Sequence, residues 1–127
     1  MRLLAVILAL FQGLNGLVML AVPEHWYLSV PGVTLTGPFN EHFVRDTGLG
    51  FLAAAIALLA FAGTRQRALV LPALTFVGGH ALIHLGEIVT AGAFDAAASR
   101  DFALIVVPGL LPALLLFHRP GPMVAAR

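Results

Sequence analysis

The stretch "ALVLPALTFVGGHALIHLGEIVTA", Ala68 to Ala91, is apolar for the full thickness of a bilayer and yet holds His80, His84 and Glu87. At about 1.5 Å of rise per helical residue, about 20 such residues cross a hydrocarbon core of about 30 Å. The stretch therefore reads as a membrane-spanning helix. Its three ionisable groups lie where burial in lipid is costly.

Three more runs of the same kind flank it, at residues 3–22, 43–63 and 102–118. A chain that is 60% hydrophobic and 10% charged lies well outside the composition of a soluble domain. The expected fold class is all-α: a single domain, residues 1–127, forming an integral membrane four-helix bundle. The first run opens like a secretory signal, with Arg2 before "LLAVILALF" and small residues in "LAVPEH". It continues through "GLNGLVMLAV", however, past the ~7–15 residues of a signal's apolar region, and so reads as an uncleaved span. Absence of cysteine removes disulfides, thiolate metal sites and covalently attached c-type haem from consideration. A net charge of +1 gives no reason to expect nucleic acid.

The basic residues are all arginine, and their placement sets an orientation. With the N-terminus cytoplasmic, Arg2, Arg65, Arg67, Arg119 and Arg127 face inward, and Arg45 and Arg100 lie on the outer side. Both termini are then cytoplasmic, as in a bacterial inner-membrane protein. The same orientation carries Glu24, Glu41, Asp46, Glu87, Asp95 and Asp101, with His25, His42, His80 and His84, to the outer half, leaving His118 at the inner end. Chemistry, if there is any, is expected there.

At about 100° per residue, His80, His84 and Glu87 fall at i, i+4 and i+7 and share one helix face. The second helix opens "FNEHFVRDTG", in which His42 and Asp46 are four apart and Arg45 is three from His42. The simplest packing brings these two stripes together, Glu41 beside them and Arg45 balancing charge. In the first helix Gln12 and Asn15 lie among Gly13 and Gly16, a packing face with a polar spot. The fourth run carries no ionisable group within it, and Pro108 and Pro112 predict a bend. Trp26 and Tyr27 read as interfacial belt residues at the start of a loop over the outer mouth.

Three functional readings stay open. His80, His84 and Glu87, joined by His42, Asp46 or Glu41, offer nitrogen and oxygen donors for a transition metal, although "HxxxHxxE" is neither the zinc-peptidase "HExxH" nor a paired di-iron "ExxH". A haem b held by His42 and His84, with Arg45 on a propionate, is a variant of that reading. Proton or small-solute transport would use the same groups as a relay, but no ionisable residue bridges His80 and His118. The alternative is a structural or assembly subunit whose polar cluster only fixes helix packing. The partners implied are the lipid bilayer and either copies of the chain or a larger membrane complex.

The four-helix layout, the aromatic-bearing outer loop and the pattern formed by Asn40, Phe43, Arg45, Asp46, Gly48, Phe51 and Leu52 resemble the small DoxX-like membrane proteins. The motif covers only the opening of the second helix, and "GGHALIHLGE" has no counterpart in it. The resemblance implies a four-helix bundle with an accessory redox role, and assigns no catalytic residue.

Overall fold

The computed structural model describes residues 1–117. His118, Arg119 and Arg127, which entered the sequence reading, lie outside the described residues. Among those described, four helices are long and apolar enough to cross a membrane: Arg2–Ala21, Glu41–Thr64, Arg67–Ala91 and Ala96–Phe117. They run up, down, up and down, and strands are absent from the described residues. The chain is a small helical integral membrane protein.

Local chemistry explains where the helices start and stop. Asn40 caps the second span, its Oδ1 accepting from the Phe43 amide at 3.1 Å, and Glu41 places a carboxylate in the positive first turn. That span closes on Arg65, a left-handed residue at φ 63° whose amide donates to the Phe61 carbonyl at 2.8 Å. Gly92, at φ 67°, ends the third span in the usual left-handed cap. Asp95 then caps the fourth, accepting from the Ala98 amide at 2.8 Å.

This last cap corrects the sequence reading. The fourth span begins at Ala96 rather than at residue 102, because "DAAASRD" is an N-cap followed by good helix formers and not a polar loop. Arg100 and Asp101 therefore belong to a membrane helix. Below them the backbone widens into a π-helical turn, Phe102–Val106, then tightens to 3₁₀ over Leu111–Phe117. Pro108 stands two residues beyond the end of the wide turn. Its ring lacks an amide hydrogen and crowds the carbonyl four residues earlier, so a wider turn relieves it.

In the first span, Leu3, Ile7, Leu10, Leu14 and Leu17 are each more than half exposed and alternate four and three residues apart. That stripe faces lipid. The opposite stripe, with Ala9, Gly13 and Gly16, packs on the second span. An added β-carbon at Gly16 would stand 2.6 Å from the Gly48 carbonyl oxygen, and one at Gly13 3.2 Å from Ala55 Cβ. Backbones this close require glycine. The third and fourth spans meet the same way at Gly109, where a β-carbon would lie 2.6 Å from both Ala81 Cβ and the Val77 carbonyl oxygen.

Most of the core lies toward the end that carries the N-terminus, in Ala5, Leu8, Leu58, Phe61, Val70, Ala73 and Leu115. Toward the other end, called here the loop end, the two helix pairs part. From Gly79 onward the third span packs mainly on the fourth, and the buried residue of Gly79–Ala91 is Ala81.

The connection at the loop end is more ordered than a Pro/Gly-rich loop suggests. It contains a short helix, Pro23–Ser29, with proline in its first turn, and a 3₁₀ turn, Val33–Leu35. The Trp26 indole donates to Asn15 Oδ1 at 2.9 Å and the Tyr27 hydroxyl donates to the Gly37 carbonyl at 2.6 Å. Trp26 thus ties the loop to the first span as well as standing where an interfacial aromatic would. Trp26→Phe, which keeps an aromatic ring but deletes the donor and trims the indole packed on the core, is expected to lower stability in detergent by about 1–2 kcal/mol. Thermal unfolding checks this, and adding Asn15→Leu to Trp26→Phe should cost little more.

Candidate functional site

His84 is the centre of the most connected polar group. It projects from the third span toward the fourth, and its Nδ1 lies 3.6 Å from Asp101 Oδ2 and 3.6 Å from Glu87 Oε2. These contacts are longer than hydrogen bonds, and they are ion pairs only when the imidazole is protonated. The other carboxylate oxygen of Asp101 is taken by Arg100, whose Nη2 and Nε donate at 2.7 and 2.8 Å. His84 and Asp101 side chains are 22% and 24% exposed, so the group is screened without being sealed.

The loop reaches this group from above. Gly32, at φ 92°, sits so close to Arg100 that a β-carbon there would be 3.1 Å from Nη2. Below it, His80 stacks edge-on to His84 with ring centres 4.8 Å apart, and edge-on to Phe51 of the second span at 5.7 Å. Phe51 in turn meets Phe76 at 5.1 Å, a ring that fits because Gly50 has no side chain. A polar layer at the loop end thus rests on an aromatic one deeper in the bundle.

The second helix's polar residues sit elsewhere. His42 Nε2 contacts Asp46 Oδ2 at 3.3 Å, with the two side chains 89% and 59% exposed. Arg45 Nη1 contacts Glu41 Oε1 at 2.8 Å, also in the open. Both are pairs four residues apart on one helix, which satisfy themselves locally. The expected packing of the His42–Asp46 stripe against the His80–His84–Glu87 stripe is therefore corrected: His84 turns to Asp101 of the fourth span, and His80 turns to Phe51. The fourth span, expected to contribute least, supplies the partner.

A metal needs several donors converging on one point, and among the described residues no three His, Asp or Glu side chains do so. A bis-histidine haem needs ligands from opposite sides of the ring. His80 and His84 share one helix face and stack on each other, while His42 contacts Asp46 at the exposed start of its own helix. The arrangement fits neither group.

Sequence reasoning passed over Asp101 and Arg100. The available signal was Asp95 before an alanine run, an N-cap that moves the helix start upstream of both. Gln12 is buried, and Asn15 accepts from Trp26. Comparison with known proteins finds no match: no family model, no curated protein and no solved structure is similar to the chain.

Proposed function

We propose that this protein is a structural or assembly subunit of a membrane, in which the polar group centred on His84 locks the third and fourth helices together at the loop end. The observation that carries the reading is the division of Asp101 between two partners, Oδ1 to Arg100 and Oδ2 to His84. Arg100 offsets the Asp101 charge, and Glu87 lies against the His84 ring. Lipid gives helices no hydrophobic reason to associate, so polar contacts and close small-residue seams must hold them. The positive-inside count supports a loop end facing outward from a bacterial inner membrane. The four-span layout and the Asn40 to Leu52 pattern support a place near the DoxX-like proteins, and an accessory role within a larger complex suits both.

A second reading is supported by the partial exposure of His84 and Asp101 beneath the Gly32 turn: a small polar ligand could exchange with these contacts from the loop end. Transport has less support, because the aromatic layer of Phe51 and Phe76 lies below His80 where a relay would have to continue.

A double-mutant cycle separates these readings. His84→Gln and Asp101→Asn are each expected to lower stability by about 1–2 kcal/mol, with a coupling of about 1 kcal/mol between them. Additive effects, or a Soret band or stoichiometric metal in the purified protein that the His84→Gln variant loses, would sink the assembly reading.

A further inference from the structure

Away from His84, an open cleft of about 350 Å³ lies between the end of the first span, the short helix Pro23–Ser29 and the start of the second span. Its walls belong to neither the third nor the fourth span. Val22, Pro23 and Phe39 line it with apolar surface, and Glu24, His25, Glu41 and Arg45 with polar groups. Val22 caps the first span and Glu41 opens the second, so the cleft stands at the level where both helices leave the hydrocarbon and meet the headgroups.

The charges are mixed. Arg45 offers one guanidinium, held 2.8 Å from Glu41, and Glu24 adds a second carboxylate. A simple anion would meet two carboxylates for one cation. A simple cation would meet Arg45. A zwitterion with a phosphate and a primary ammonium a few bonds apart matches both, because the guanidinium accommodates phosphate in a fork and the carboxylates accept from an ammonium. The apolar wall of Val22 and Phe39 suits the glycerol and first methylenes of a lipid. From this charge pattern, at this depth, we infer that the cleft is a phospholipid site selective for a phosphoethanolamine headgroup, with Arg45 on the phosphate and Glu24 and Glu41 on the ammonium.

This site is independent of the His84 group and stands or falls separately. The test is native mass spectrometry of the full chain released from nanodiscs of equimolar phosphatidylethanolamine, phosphatidylcholine and phosphatidylglycerol. The expected result is retention of phosphatidylethanolamine over both phosphatidylglycerol and phosphatidylcholine by about fivefold or more, falling to near parity in Glu24→Gln, whereas Arg45→Gln lowers retention of all three lipids because their phosphate is common to them. Glu24→Lys should reverse the preference toward phosphatidylglycerol, a gain that misfolding cannot imitate. Glu87→Gln, on the third span, should leave the preference intact. Equal retention of the three lipids, a preference unmoved by the Glu24 variants, or total retention unmoved by Arg45→Gln would overturn the inference. So would stabilisation by soluble phosphoethanolamine equal to that by the lipid, since the apolar wall would then contribute nothing.

Discussion

Gly16→Ala is expected to destabilise the protein by about 3 kcal/mol, the upper range for forcing one methyl group into a packed interface. The new β-carbon would stand 2.6 Å from the Gly48 carbonyl oxygen, 3.0 Å from the Leu52 amide nitrogen and 3.2 Å from Phe51 Cβ. Two of those atoms are backbone of the facing helix and cannot rotate aside. The first and second spans must separate instead, and contacts along the seam, including Gly13 on Ala55, lengthen together. Gly86→Ala supplies the control: its β-carbon meets nothing within 4 Å, and alanine's better helix propensity adds up to about 1 kcal/mol of helix stability. Unfolding of both variants in mixed detergent micelles measures the contrast. Equal behaviour would show that the glycine seam does not hold the pair.

The four spans were legible because the signal is length multiplied by hydropathy, which needs no knowledge of partners. The predicted and observed spans differ by a residue or two in the first three helices, where apolar runs end at caps such as Asn40 and Gly92. The fourth differs by six residues for a physical reason. Arg100 and Asp101 neutralise each other and sit beside His84, so a helix can keep them in a span that hydropathy alone would shorten. Gly13 and Gly16 were legible as a close-packing pair because small residues matter in the same way wherever helices meet. What was hidden is which stripe faces which. His42 with Asp46 and His80 with His84 carry the same spacing in sequence, yet one pair lies in the open and the other against a neighbouring ring and carboxylate. Helical periodicity gives a face, not its partner. That choice depends on how the third helix turns away from the second after Gly79, a property of the whole bundle.

Gly109→Ala should show how far that turning depends on one close contact. A β-carbon there would stand 2.6 Å from Ala81 Cβ and 2.6 Å from the Val77 carbonyl oxygen, in the seam where the third and fourth spans approach most closely. Ala81 is fully buried and three residues before His84, on the same helix face. Asp101 is about two turns above Gly109 on the fourth span, again on a shared face. Widening the seam at Gly109 therefore moves His84 and Asp101 apart, and their 3.6 Å contact lies beyond hydrogen-bond range already. The expected loss is about 3 kcal/mol, larger than that of Asp101→Asn, because it removes packing and the His84–Asp101 contact together. Gly79→Ala, whose β-carbon meets nothing within 4 Å, should lose nothing and, like Gly86→Ala, gain up to about 1 kcal/mol of helix stability. Separation can be read directly, since the chain has no cysteine of its own. Cysteines introduced as His84→Cys and Asp101→Cys, bridged by a short bis-maleimide, should crosslink readily alone and more slowly when Gly109→Ala is added. Unchanged crosslinking with a large loss of stability would mean that packing at Gly109 does not set the spacing of the two helices at the level of His84.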